Sequence, residues 1–329
     1  MAVTSLPAGT LAVGEPGPTT RGARRAAGRR SAPMPAGTSR VRGPAPYLLV
    51  GPAVVLFLGC IVAPALYALY LSLRGLQVSG EGMFGGQTTE VFVGLRNYRE
   101  ALGDAELWHS IGRMLAVAVI GVPLTVVLAA AFALSLDAAQ TRLRGLFRIL
   151  IFLPYAVPGV IASLMWGFLY LPGTSPIGGN HVDYFGPHTI FLSVANVAIW
   201  CAVGFNMLVM YTSLRSLPPE LYESARLDGC SERQVSLRIK LPLIRPAVTM
   251  CALFSLLGAL QLYNEPMALK PLANSITTTW VPLMKVQRDA FGENNVYGAS
   301  ATALFIAVSI VAITVIANYA TKLRSGGNR

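Results

Sequence analysis

Six stretches of this chain, each 20 or more residues long, are too apolar for a soluble surface: Tyr47–Leu73, Met114–Leu136, Ile149–Tyr170, Ile190–Leu214, Ala247–Leu269 and Tyr297–Tyr319. The first holds 27 consecutive uncharged residues, about 40 Å as a helix, and about 30 Å of hydrocarbon is enough to define a span. Lipid offers no partners to backbone N–H and C=O groups, so such runs must close their own hydrogen bonds as helices. The expectation is an all-α membrane protein with six transmembrane helices and both termini on one side. Pro52, Pro64, Pro123, Pro154, Pro158 and Pro266 fall inside the runs, so the helices should be kinked.

Charge sets the orientation. Only 12% of residues are charged, yet 26 Lys and Arg face 15 Asp and Glu, a formal net charge of +11. A balance this basic in a soluble chain would suggest nucleic acid; here its distribution points elsewhere. Lys and Arg number seven in residues 1–46, three in 137–148, six in 215–246 and three in 320–329, against four in 74–113, none in 171–189 and three in 270–296. Alternate segments thus hold 19 and 7, and the richer side is cytoplasmic. Both termini and the loops 137–148 and 215–246 then face the cytosol, 74–113 is extracytoplasmic, and no nucleic-acid partner is expected. Residues 1–46, rich in Pro, Gly, Ala and Arg, read as a disordered basic tail rather than a cleavable signal; 320–329 read as a short cytoplasmic tail. Cys60, Cys201, Cys230 and Cys251 have no CxxC spacing and read as small buried hydrophobes.

The 32-residue connection 215–246 is long for a helical bundle. Leu217-Pro218-Pro219 opens a short helix whose acids Glu220 and Glu223 suit a positive N-terminal end, and Gly229 is a natural left-handed stop. Leu221, Tyr222 and Ala225 share one face. A second helical stretch from Ser231 is expected to end before Leu241-Pro242.

The run Glu223-Ser224-Ala225-Arg226-Leu227-Asp228-Gly229, followed by Ile239-Lys240-Leu241-Pro242-Leu243-Ile244-Arg245-Pro246, resembles the EAA motif of binding-protein-dependent ABC importer permeases. Ser224 and Cys230 replace alanines of that pattern, and Arg233 and Ser236 replace aromatics common in the sugar branch. Phe92-Val93-Gly94-Leu95-Arg96-Asn97-Tyr98, Leu153-Pro154-Tyr155-Ala156-Val157-Pro158 with Trp166, and Tyr297-Gly298-Ala299-Ser300-Ala301 are similar to segments of the sugar-importer branch. The resemblance covers about residues 47–320. It implies a type I importer permease fold, with a permease domain over 109–319. It implies that Glu220, Leu221, Tyr222, Glu223, Ala225, Asp228, Gly229 and Pro242 belong to a coupling element seated on a separate ATPase. It also implies a second permease chain, two ATPase subunits that bind Mg-ATP, and an extracytoplasmic sugar-binding protein, all in a bacterial cytoplasmic membrane.

Polar groups at membrane depth are costly and mark candidate function. Gln261, Tyr263, Asn264 and Glu265 cluster in the fifth run; Asn206, Asn196, Trp166 and Trp200 lie in others. Amides, a carboxylate and aromatic faces suit a sugar, while tryptophan at interfaces and amide pairing between helices are the plain structural alternatives. No nucleotide-binding loop, HExxH or nucleophile elbow is present, so no enzyme and no cofactor of its own is expected. His109, His181 and His188 fall in outward segments without ligand spacing. The expected function is ATP-driven import of a di- or oligosaccharide. The alternatives are glycerol-3-phosphate-like cargo or a secondary carrier using Glu265 as an ion or proton site.

Overall fold

A computed structural model describes residues 45–79, 87–138, 143–173, 175 and 182–326. Most of the basic tail and His181 lie outside the described residues. The chain divides into two units, residues 1–55 and 56–329. The described part of the first is the start of helix α1 (Ala45–Phe57), which carries Pro52. In the second, a π-helical turn (Leu58–Val62) leads to α2 (Ala63–Ser72).

Four helical stretches are long and apolar enough to cross a membrane: Leu48–Ser72, α4 (Ala105–Asp137), α7 (Ile190–Arg215) and, within α14 (Val296–Gly326), Val296–Tyr319. Two bent helix pairs bring the possible total to six. The third run is one of these, α5 (Arg144–Phe152), a 3-10 turn (Leu153–Ala156) and α6 (Gly159–Leu169), bent by 98°. The expected continuous span 149–170 is therefore two short arms. Pro158 forces the preceding Val157 into an extended conformation (φ −80°, ψ 127°), which no helix can pass.

The fifth run also departs from a single span. α11 (Arg245–Leu260) stops, Gln261, Leu262 and Tyr263 are non-helical, and α12 (Asn264–Leu269) restarts. Pro266 in a continuous helix would clash with the carbonyl four residues earlier; a break places it in the first turn, where no amide partner is required. Ahead of α11 lie α8 (Glu220–Leu227), α9 (Glu232–Gln234), a π-helical segment (Val235–Lys240) and α10 (Leu241–Leu243). The second helix of the loop thus runs to Leu243, beyond its expected end. The wider π turn shifts the carbonyl that Pro242 would otherwise strike, and the 71° bend comes only between Leu243 and Arg245.

Segment 74–113, expected as loop, contains an antiparallel hairpin of β1 (Arg74–Ser79) and β2 (Gln87–Phe92), with Arg74 opposite Phe92. It also holds α3 (Arg96–Gly103) and the first turns of α4. Asn97 Nδ2 donates to the carbonyls of Ser72 and Arg74 at 2.8 and 2.7 Å, tying α3 to the hairpin's base. The expected tail 320–329 is helical to Gly326.

Two cores run along α4 and α7. Ala129 and Ala133 of α4 are fully buried with Met207, Met210 and Leu214 of α7 and Cys251 of α11; small side chains let the backbones approach. Met114 and Val117 meet Ile190, Val194 and Ile199 in the other core, with Leu260, Leu269, Trp280 and Met284. Gly204 marks the tightest approach: a Cβ there would lie 2.4 Å from the Ile151 carbonyl oxygen and 2.8 Å from Phe152 Cα. At the N-terminal end of α4, buried Lys285 of α13 (Pro282–Gln287) pairs with Asp104 at 2.7 Å and Asp289 at 2.6 Å. Arg288 adds Asp289, Glu106 and Glu293 at 2.9, 3.0 and 3.3 Å.

Candidate functional site

The breaks in the third and fifth runs open a cavity of about 380 Å³ between α4, α7, α11 and the two broken segments. Val117, Gly121 and Thr125 of α4, Ile199, Ala202 and Asn206 of α7, and Ser255 and Gly258 of α11 line it, with Glu265 from α12. Tyr155, in the turn of the broken third run, stacks on Phe205 with ring centroids 5.1 Å apart and an interplanar angle of 23°, giving the cavity an aromatic wall. Glu265 Oε1 lies 3.9 Å from where a Cβ of Gly159 would stand. The lining is mostly apolar with a few convergent polar groups, as small-molecule sites are.

Asn206 is the most informative of these groups. It is 3% exposed, and its Nδ2 donates to the Ala202 carbonyl at 3.0 Å and to Ser255 Oγ at 3.3 Å. Its Oδ1 is buried and accepts no hydrogen bond among the described residues. A buried acceptor left unmatched costs about 1–3 kcal/mol, which a ligand hydroxyl could recover.

Of the eight residues singled out at membrane depth, Glu265 and Asn206 line this cavity, and Gln261, Tyr263, Asn264, Trp166, Trp200 and Asn196 do not. Gln261 is exposed at the end of α11, Asn264 is exposed, and Tyr263 packs on the core around Leu262 and Trp280. Trp166 sits in an aromatic cluster, 6.1 Å from Trp200 and 5.6 Å from Tyr170, with its Nε1 buried and without a partner among the described residues. Asn196 donates to Tyr170 Oη at 2.8 Å. Sequence reading did not place Thr125, Ser255, Tyr155 and Phe205 at the site, because which hydroxyls and rings of an apolar run face a cavity is decided by packing. His109 and His188 are exposed, and Cys201 borders the cavity as a free thiol.

The second candidate region is the loop 215–246. Helix α8 ends in a Schellman turn, with Cys230 N donating to Ala225 O and Gly229 N to Arg226 O, both at 3.0 Å. Gly229 adopts φ +83°, where a side chain would be strained. Ser231 and Gln234 then form a capping box that starts α9. Ala225 is buried and Tyr222 half-buried, while Glu220, Leu221, Glu223 and Asp228 are exposed and Leu227 is 89% exposed. Pro242 is half-buried in α10. The helix therefore keeps one face on the body and presents an apolar and acidic face outward.

Residues 121–325 match the family described as binding-protein-dependent transport system inner membrane component. The trehalose/maltose transport system permease protein MalF of Thermococcus litoralis is 26% identical over 279 residues, 82% of this chain and 91% of that protein. The sn-glycerol-3-phosphate transport system permease protein UgpA of Shigella flexneri is 27% identical over 287 residues, 82% and 92% of the two chains. A trehalose transport system permease protein, SugA of Mycobacterium tuberculosis, is 28% identical over 224 residues, 67% and 70%. The fold matches a chain from the crystal structure of a bacterial ABC transporter for the acidic polysaccharide alginate with a TM-score of 0.72, at 20% identity, covering 84% of this chain and 95% of that one. Match, spans and broken helices agree, and the chain belongs to the family of inner membrane components of binding-protein-dependent transport systems.

Proposed function

We propose that this chain is one permease subunit of an ATP-driven ABC importer and that its cargo is a neutral sugar of trehalose or maltose type. The cavity carries the reading. Its lining joins an unmatched buried amide oxygen, hydroxyls and one carboxylate to an aromatic wall, and it includes no Lys, Arg or His. Sugar hydroxyls suit Asn206, Ser255 and Glu265, and C–H faces suit Tyr155 and Phe205. A phosphate or uronate would meet the Glu265 charge with no cation among the described lining residues to offset it, which disfavours glycerol-3-phosphate. The curated relatives named for trehalose and maltose transport support the choice.

In this reading α8 docks on a cytoplasmic ATPase subunit, where Mg-ATP is bound. A second permease completes the path, and an extracytoplasmic binding protein delivers the sugar. The positive-inside count supports cytoplasmic termini. The test is uptake into proteoliposomes holding the assembled transporter. Sugar uptake should need ATP and survive a proton ionophore, and Glu265→Gln should lower it by about 10-fold or more, the loss expected for a charged hydrogen bond. Uptake that ignores ATP and collapses with the ionophore would establish the carrier reading; unchanged uptake by Glu265→Gln would remove the cavity from the path.

A further inference from the structure

Beneath the exposed face of α8 lies a charged cluster that joins two residues of the loop, Tyr222 and Lys240, to the end of α4. Asp137 is the last residue of α4, and its side chain is 6% exposed. A carboxylate at that position meets the negative end of the helix dipole, and burial denies it water. Its ion-pair partner is Lys240, 103 residues away at the end of the π-helical segment, 2.5 Å from Nζ to Oδ2 and 3% exposed in its side chain. The same ammonium lies 4.6 Å from the centroid of the Tyr222 ring. Tyr222 belongs to α8, and its hydroxyl donates to the carbonyl of Leu214 in the last turn of α7 at 3.4 Å. Three elements therefore meet at one buried cation, α4, α8 and the segment leading to α11, and the Tyr222 hydroxyl ties them to the end of α7.

We propose that Asp137, Lys240 and Tyr222 form the joint through which displacement of α8 reaches α4 and α7; the proposal rests on α8 being the ATPase dock. These are positioning residues, remote from cargo. Helix α8 faces the body through Ala225 and Tyr222, so a push on its outer face has a short way inward. From Tyr222 it passes to the end of α7 directly and to the end of α4 through Lys240. Those two helices carry Thr125 and Asn206 into the cavity. An ion pair suits the task better than greasy contact, because a buried charge that loses its partner is left uncompensated, so the two ends must move together.

The experiment compares sugar moved per ATP hydrolysed by the assembled transporter, carrying the wild-type chain or a variant. Lys240→Met takes from Asp137 its ion-pair partner and is the obvious variant. The deciding one is Asp137→Leu with Lys240→Met, which leaves no buried charge and so removes the folding penalty of a broken pair. It should bind the ATPase subunits and hydrolyse ATP while sugar per ATP falls by about 10-fold, within the range one link can contribute to coupling. Lys240→Arg, which keeps the charge, should recover much of the ratio. A double variant with wild-type sugar per ATP overturns the proposal. Failure of the double variant to bind the ATPase subunits overturns it too, since the pair would then shape the dock rather than pass on its motion. A wild-type chain that transports without any ATPase subunit would bring down the docking reading and the joint with it. Normal coupling in wild type and double variant alike brings down the joint alone.

Discussion

At the N-terminal end of α4 one buried lysine is shared between two carboxylates; at its C-terminal end another buried lysine has one among the described residues. Around Lys285 the charges overlap. Asp289 also holds Arg288, Arg288 also holds Glu106 and Glu293, and Glu106 accepts from Thr279 Oγ1 at 2.5 Å. Around Lys240 there is Asp137 and the face of Tyr222. A network of overlapping pairs can lose a member and stay neutral, so it suits an end that is to be held. A single pair responds to every change in its partner's position, which suits an end that is to be moved.

The largest effect should come from exchanging the two lysines for methionine in turn. Lys240→Met takes from Asp137 its ion-pair partner at a helix C-terminus and should cost about 3–5 kcal/mol, the usual result of removing half of a buried pair. Lys285→Met should cost about 1–3 kcal/mol, because Asp289 retains Arg288 and Asp104 retains its N-cap bond from Glu106 N at 2.8 Å. Thermal unfolding of each variant in detergent measures the difference, and equal losses would break the contrast between the ends.

Acid gives a smaller and more selective effect. Burial raises the Asp104 carboxyl's pKa, but its hydrogen bonds with Lys285 and with the Glu106 amide outweigh that and hold it below the usual carboxylate value of 3.8. A depressed folded value stabilises above the unfolded one and is lost as pH falls through the folded one. The melting temperature should therefore hold down to about pH 4 and decline below it. In Lys285→Met the Asp104 carboxyl loses the partner that lowers its pKa while burial still raises it, so its share of the acid decline should shrink. Burial also works against the Lys285 ammonium, and its two carboxylates overcome it and raise its pKa, so that contribution is lost only in strong alkali. The smallest effect belongs to Arg96→Ala, on a pair with Glu100 at 2.9 Å whose side chains are 66% and 61% exposed. It should shift stability by about 0.3–0.5 kcal/mol, which separates network from ornament at the same end.

The parts of this arrangement that depend on neighbours in sequence could be read from the sequence. Apolar length announced the helices, and the prolines before α8, its first-turn acids and Gly229 announced its start and stop. Proline positions announced bending but not its extent. Pro52 and Pro123 sit inside continuous helices, whereas Pro158 and Pro266 mark breaks, and the residues beside those breaks, Val157, Gly159 and Glu265, line the cavity. The hairpin was hidden by a glycine-rich stretch and by pairing between strands. Asp137 and Lys240 looked like ordinary loop charges, since nothing local joins residues 103 apart. Asn206 stood out as polar within an apolar run; that its oxygen would be left without a donor could emerge only from packing.

The missing side chain at position 204 determines what kind of object the broken third run is. With only hydrogen there, α7 lies directly against the carbonyl of Ile151 and the backbone of Phe152, just ahead of the turn from α5 into α6. A bend of 98° standing free would be a hinge, soft in every direction. Clamped against a neighbouring helix it is built as a bracket: the close approach at Gly204 ties α5 to α7, and the stacking of Tyr155 on Phe205 ties the aromatic wall to the same pair of helices.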